Sequence, residues 1–136
     1  KESKTATDIE PYLNDPSARV RSIAVTALGN IANPASKSAL KKVLNDPEPN
    51  VQWGAAISLA SMGDDSGKTT LLKLLSRDYL AKFPEVDADE QTQLMLAAIE
   101  AAAKIKDEDL INCLTELSKT DRNMKVRAQC LKAVRY

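Results

Sequence analysis

This chain repeats itself, and the period is short. Asn14, Asp15, Pro16, Val20, Ala24 and Leu28 return as Asn45, Asp46, Pro47, Val51, Ala55 and Leu59, a shift of 31 residues from Val20 to Val51. The match continues through Lys37/Lys68, Leu40/Leu71, Lys42/Lys73 and Leu44/Leu75. A third copy lies 43 residues further on, with Asp89, Leu94, Ala98, Ala102 and Ile105. The fourth follows after 32 more, with Asp121, Val126, Cys130 and Val134. About twelve extra residues separate the second copy from the third. A fixed period of this length marks an array of small units that bury their apolar sides against one another.

Each copy reads as a helix with its own start signal. Asp15 can accept bonds from free backbone N–H groups as an N-cap, and Pro16 suits the first helical position. Val20, Ile23, Ala24, Ala27, Leu28 and Ile31 then fall at steps of three and four, one stripe of an α-helix. Between copies lies a second apolar stripe: Ile9, Tyr12, Leu13, then Leu40, Val43, Leu44, then Leu71, Leu74, Leu75, then Leu114 and Leu117 with Ser118. Every unit is therefore a helical hairpin with a short helix A, an Asp-led turn and a helix B. Four hairpins and about eight helices account for nearly the whole chain.

The units resemble HEAT repeats, especially the short kind seen in phycobilisome-lyase-type proteins. The pattern is Leu-x-x-Leu-Leu-x-Asp-Pro-x-x-x-Val-Arg-x-x-Ala-x-x-Ala-Leu-Gly, which this chain writes from Ile9 to Gly29 and again from Leu40 to Ala60. Asp15, Pro16, Val20, Arg21, Ala24, Leu28 and Gly29 carry it most clearly. The Trp-Leu-Gly-Tyr and Thr-Pro-Leu-His signatures of tetratricopeptide and ankyrin repeats are absent from the sequence. The resemblance implies an all-α, right-handed α-α superhelix of four HEAT-like hairpins, with A helices outside and B helices lining a concave face. One domain over 1–136 is expected, with repeats at about 5–32, 33–63, 64–105 and 106–136.

Bulk composition narrows the function classes. Nineteen basic and nineteen acidic residues cancel, without the basic footprint of a nucleic-acid binder. No run approaches the ~20 apolar residues a membrane-spanning helix needs. One Trp, three Tyr and one Phe leave Ala and Leu to fill the core. Cys130 takes the core position of Ala24, Ala55 and Ala98 and should behave as a small buried hydrophobe. Cys113 could lie near it, but a helical core of this size has little need of a disulfide. The first residue is Lys1 rather than Met, so a signal peptide, an anchor or more repeats are expected to have been removed; the compartment stays open, with a cytoplasmic one favoured.

Local signals set the expected boundaries. Residues 1–6 are polar and expected to fray. Thr7 and Glu10 fit a capping box for A1, with Pro11 tolerated in its first turn. B1 is predicted over Pro16 to Ala32, and Asn33-Pro34 restarts the chain as A2 to about Leu44. Asp46-Pro47 opens B2 and Gly63 closes it. A3 is predicted to continue past Leu75 through Leu80 until Pro84. B3 is expected over Glu90 to Ile105, A4 over Glu108 to Lys119, and B4 from Arg122 nearly to Tyr136. Lys4, Glu10, Lys125, Gln129, Lys132 and Arg135 suggest polar end faces, which suit a four-repeat array.

Several motifs have a functional and a plainer reading. Gly63-Asp64-Asp65-Ser66-Gly67-Lys68-Thr69-Thr70 looks like a phosphate loop, but three residues separate its glycines where the motif needs four, and no strand precedes it. Asp64/Asp65, Asp87/Asp89/Glu90 and Asp107/Glu108/Asp109 sit where helices begin and complement the helix dipole better than they hold a cation. With no histidine in the chain, the commonest general base and most zinc sites are gone. Neither an enzyme nor a metal or cofactor protein is expected.

Arg21 holds the position at which such repeats carry a basic residue that pairs with turn aspartates. Its counterparts are Gln52, Met95 and Arg127, and the acceptors are Asp15, Asp46, Asp89 and Asp121, so the ladder reads as broken in the middle. Arg21 and Arg127 either brace turns or reach an acidic partner. Trp53, off the core stripe, together with Met95 and Leu96, makes either an apolar binding patch or packing against the adjacent repeat. In the Arg77–Pro84 insertion, Tyr79, Leu80 and Phe83 either bind or fold back over the third repeat. The expected function is a monomeric protein-interaction scaffold offering its concave B-helix face, with Arg21, Trp53, Met95, Leu96 and Arg127 as partner-binding candidates. The resemblance also raises a small-molecule- or chromophore-binding, lyase-like protein as an alternative. A DNA-binding module is a third reading, and the neutral charge opposes it.

Overall fold

The structure, a computed structural model, describes residues 5–135. Among these residues are nine α-helices, three short 3-10 helices and no strand. Val20, Val51, Leu94 and Val126, the matched positions of the repeat, all fall in the second helix of a hairpin. The chain forms two compact units, Lys1–Gly67 and Lys68–Tyr136.

In the first unit, α1 (Ala6–Ile9) runs into a 3-10 helix (Glu10–Asn14), where Pro11 occupies a first-turn position. α2 (Ala18–Ile31) completes the first hairpin. A 3-10 turn (Pro34–Ser36) and α3 (Lys37–Val43) pair with α4 (Pro49–Ser61) in the second, followed by a 3-10 turn at Asp65–Gly67. Leu13, Val25, Leu28, Leu40, Val51, Ala55 and Leu59 are among the residues that form one buried cluster. α2 packs against α4 along a line of small residues. A Cβ at Gly29 would stand 2.8 Å from Ser58 Cβ and 3.3 Å from its Cα. At this close approach the Ser58 hydroxyl donates to the Val25 carbonyl at 3.0 Å in the buried interface. Gly67 is equally constrained, since a Cβ there would lie 2.7 Å from Ala56 Cα. The second glycine of the apparent phosphate loop is thus a packing residue.

The second unit contains α5 (Lys68–Leu74), α6 (Arg77–Leu80), α7 (Ala88–Ala102), α8 (Glu108–Thr120) and α9 (Met124–Val134). Leu71, Leu74, Leu80, Met95, Ile99, Leu110, Leu114, Val126 and Cys130 are fully or almost fully buried in it. Both cysteines are free thiols.

The helix starts differ consistently from the sequence expectation. Asp15 and Asp46 are not N-caps. The caps are Ser17, Glu48 and Asn123, each two residues after the turn aspartate. The Asp15 carboxylate instead accepts the Ser17 N–H at 2.9 Å, Asp46 that of Glu48 at 2.9 Å, and Asp121 that of Asn123 at 2.9 Å. Each carboxylate closes a short turn onto the N–H two residues on, so the helix starts after that turn rather than at the aspartate. The third copy departs from this rule: Asp87 caps α7 in a capping box with Glu90, which leaves Asp89 exposed in the first turn. A1 starts two residues before the expected Thr7, with the Asp8 carboxylate accepting the Thr5 N–H at 3.2 Å.

A3 does not run on to Pro84. It ends at Leu74, and Ser76 caps the separate helix α6 by accepting the Tyr79 N–H at 3.3 Å. Hence the described residues form nine α-helices rather than eight. Leu80 is buried, Tyr79 and Phe83 meet edge to face with centroids 5.1 Å apart, and Lys73 of α5 lies over the Tyr79 ring. The insertion is therefore folded back against α5. Gly63 closes α4 as expected, with φ +80° and bonds from Asp64 N–H to Leu59 O and from Gly63 N–H to Ala60 O. Ala32 and Lys106 adopt the same left-handed region at φ 56° and 59° without being glycine. Lys4 and Tyr136 lie outside the described residues.

Two predictions follow from the backbone. Gly67→Ala should lower stability by about 2 kcal/mol or more, because the new methyl meets backbone. Gly29→Ala should cost less, since helix propensity returns ~1 kcal/mol of the overpacking penalty. Urea unfolding of the two variants checks the order. Lys106→Gly should instead stabilise by about 0.5–1 kcal/mol, read as a raised Tm, because it relieves a left-handed lysine at some cost in unfolded-chain entropy.

Candidate functional site

The turn aspartates organise the polar chemistry of the chain. In the first unit Arg21 reaches forward to Asp46, with Nε 2.8 Å from Oδ2 and Nη2 3.2 Å from Oδ1. Its Nη1 also donates back to the Asp15 carbonyl at 2.8 Å. One guanidinium thus ties its own turn to the next, and the Asp46 carboxylate raises its pKa further. Gln52, in the equivalent position of α4, donates its amide to the Asp46 carbonyl. Arg127 does the same at the Asp121 carbonyl, 2.7 Å away. Gln52 therefore keeps half of the arginine's work, the grip on its own turn.

Met95, which takes Arg21's place in α7, is fully buried and makes no such bond. The missing cation comes from the insertion instead. Arg77 of α6 forms a forked pair with Asp121, Nε to Oδ1 at 3.0 Å and Nη2 to Oδ2 at 2.8 Å. The Asp121 side chain is 2% exposed, and the Arg77 guanidinium holds its carboxyl below the ordinary 3.8. Sequence reasoning missed this residue because Arg77 lies outside the repeat. The break in the ladder at Met95 was the signal that a cation had to come from elsewhere.

The five candidates separate by location. Arg21 and Arg127 are half-buried turn braces. Trp53 is 3% exposed and Met95 0%, and Leu96 is half-buried. As placed, Trp53 and Met95 fill the interior rather than line an open surface. The acidic clusters act as helix starts. Asp64 accepts the Ser66 N–H at 2.8 Å, and Asp107 caps α8 through the Leu110 N–H at 3.1 Å. Lys68, the lysine of the apparent phosphate loop, sits 2.8 Å from Asp109 and 3.0 Å from Asp107, which push its pKa up to about 12. Burial drives the Cys130 thiol up to about 12 and raises Cys113 as well. Both stay protonated at neutral pH, the opposite of what covalent chromophore attachment asks of a thiol.

An open apolar surface lies elsewhere, on the first hairpin. Ile9, Tyr12, Val20, Ile23, Ala24 and Ala27 line an open apolar groove of about 250 Å³. Ile23 is 61% exposed and Tyr12 54%. One edge of the predicted core stripe is exposed at this hairpin: Ala24 and Leu28 are buried, whereas Ile23 and Ile31 face solvent. A signal for this existed in the repeat itself, since Ile23 aligns with Gly54 and Tyr12 with Val43. A larger groove of about 470 Å³, lined by Glu10, Asn14, Lys42 and Asp46 among others, is polar at its rim. Among the described residues no helix is long and apolar enough to cross a membrane.

Against known proteins, the profile of a family described as HEAT repeats matches residues 7–83, more than half of the chain. No curated protein matches the sequence.

The Arg77–Asp121 pair makes a testable demand. Arg77→Ala should destabilise by about 3 kcal/mol at pH 7, because it strands a buried carboxylate. Asp121 has a lowered pKa in the fold, so its contribution is present above the unfolded value near 3.8 and is lost as pH falls through the folded one. The gap between wild type and Arg77→Ala should consequently narrow when urea unfolding is repeated at about pH 3. An undiminished gap there would mean that the arginine acts through packing alone.

Proposed function

The chain belongs to the HEAT-repeat family, and on that premise we propose that it is a non-enzymatic interaction scaffold for a protein or peptide. Hairpins that bury their polar turns and brace them with ion pairs make a surface that exists before the partner arrives. A partner that docks on such a surface loses little to ordering of the scaffold.

The observation that supports this reading most is the solvent stripe of α2. Arg19, Ile23, Thr26 and Asn30 are exposed at helical spacing, and Ile23 stands at the rim of the apolar groove. On α4, Asn50 is exposed and Gly54, Ile57 and Ser61 are half-buried. This B-helix surface of the first unit joins an apolar centre to a polar margin, the pattern of a recognition patch. Its small residues leave room for an amphipathic helix, whose apolar face would enter the groove beside Ile9 and Tyr12.

The reading moves the contact residues from Trp53, Met95 and Leu96 to Ile23, Tyr12 and their neighbours. Helical peptides selected from a display library on the wild-type protein provide the test, with Ile23→Glu as the counter-screen. The variant should keep its circular dichroism and Tm, since Ile23 is 61% exposed. Its affinity for the selected peptides should fall by about tenfold or more, the loss expected for an apolar anchor. Equal binding by both proteins would remove the groove as the recognition surface.

A further inference from the structure

We propose that Cys113 and Cys130 form a reversible disulfide that locks α9 to α8, which makes the fourth hairpin sensitive to the thiol–disulfide balance around it. The pair is independent of the groove on the first hairpin, and neither cysteine belongs to the braces that hold the turns.

Register brings the two thiols together. Three residues join α8 (Glu108–Thr120) to α9 (Met124–Val134), so the helices run antiparallel and pack as a hairpin. Cys113 lies seven residues before the end of α8, and Cys130 six after the start of α9. At 1.5 Å per residue both stand about 10 Å from the turn, on one level of the hairpin. Cys113 adjoins the buried stripe of Leu110 and Leu114, and Cys130, 0% exposed, continues the stripe that Val126 begins. The repeat places them independently. Leu40 matches Leu114 and Val51 matches Val126, so Ala39 and Ala55 are the counterparts of Cys113 and Cys130. Ala39 packs against the cluster that contains Ala55. Two thiols thus stand where the second hairpin sets two alanines, residues small enough to let helices approach. Axes about 8–10 Å apart leave roughly 4–6 Å between facing Cα atoms, the span a disulfide needs.

Both cysteines are free, Cys113 half-buried and Cys130 buried. Burial raises the Cys130 thiol, and Asp121 and then Cys113 add to the shift, so the two sulfurs lie within reach of each other's charge. Their exposures set the order of reaction. A small disulfide such as oxidised glutathione meets Cys113 first. The Cys113 thiolate attacks one glutathione sulfur, the glutathione S–S bond breaks, and a mixed disulfide forms as one glutathione thiolate leaves. The Cys130 thiolate then attacks the Cys113 sulfur and expels the second glutathione thiolate. The protons from the two cysteines end on the two glutathione thiols, so two protein thiols are oxidised while one small disulfide is reduced. Because both thiols are raised, exchange is slow at neutral pH. The bond adds a covalent limit on how far α9 can part from α8, and a reductant removes it.

Incubation of the whole protein with oxidised glutathione and then with dithiothreitol tests the pair, read by intact mass and by amide hydrogen exchange. Wild type should become about 2 Da lighter as both thiols are lost. Amide exchange in α8 and α9 should slow about tenfold or more, and dithiothreitol should reverse both changes. Cys130→Ala installs the residue that Ala24, Ala55 and Ala98 supply in the other copies, so it should fold. It should stop at one glutathione adduct, with exchange in α8 and α9 unchanged. Cys113→Ala should stay unmodified, because the thiol it leaves is 0% exposed. A wild type that keeps both thiols, stops at a glutathione adduct, or links to a second copy through a disulfide overturns the proposal. So does a mass loss that appears only in urea, or an oxidised protein whose α8 and α9 exchange as fast as the reduced one.

Discussion

Two helices of this chain approach each other as closely as they do because a side chain is missing at Gly29. The Ser58 hydroxyl occupies that space and returns a hydrogen bond to the Val25 carbonyl. A hairpin whose A helix is only two or three turns long cannot cover its own apolar stripe, so the first unit owes its core to this contact. Leu28, Val51, Ala55 and Leu59 are dry only because α2 and α4 lie side by side. The same requirement recurs at Gly67, where the chain leaves α4 and turns back against Ala56. Small residues at both places set the spacing, and the large aliphatic ones then fill it.

Close spacing also buries turns, and buried turns carry carbonyls and carboxylates that need partners. The arginine of the repeat meets both needs at once, with one nitrogen on its own turn and two on the next. Where the register supplies no arginine, the two needs are separated. Gln52 holds the carbonyl, and Arg77 arrives from outside the repeat to neutralise Asp121. What the fold enforces is the satisfaction of the buried acid rather than the identity of the residue at one position. Arg77 is the first residue of α6, a separate helix that Ser76 caps. The twelve-residue excess in the third repeat therefore has a structural task.

Much of this was legible in the residues, and the remainder failed for physical reasons. The period through Val20, Val51, Leu94 and Val126 placed every B helix, because burial of one stripe leaves a spacing that side chains cannot hide. The helix starts were misjudged by two residues because Asp-Pro satisfies two rules at once. It can be a cap and first residue, or an extended turn that precedes a cap, and sequence spacing alone does not choose between them. Trp53 was read as a surface candidate because it sits off the local stripe, yet it is buried. A one-helix periodicity does not contain the packing between helices that decides burial. Arg77 was missed for the same reason: a contact 44 positions long leaves no periodic trace.

The exposed face of α2 is the part of the molecule that its own stability does not explain. Ile23 is β-branched, so in mid-helix it loses side-chain freedom that alanine or lysine would keep. At 61% exposure it recovers little of that cost through burial. Thr26, three residues on, is likewise β-branched and exposed, and Tyr12 stands alongside with more than half its surface in water. A single exposed isoleucine needs no explanation, but Ile9, Tyr12, Val20 and Ile23 are contiguous around one groove. The second hairpin shows what such a face looks like when a neighbour covers it, with Leu40, Val51 and Ala55 fully buried at the positions of Ile9, Val20 and Ala24. Among the described residues the second hairpin has α2 against it, and the apolar residues exposed on the first are of the kind that such a helix meets.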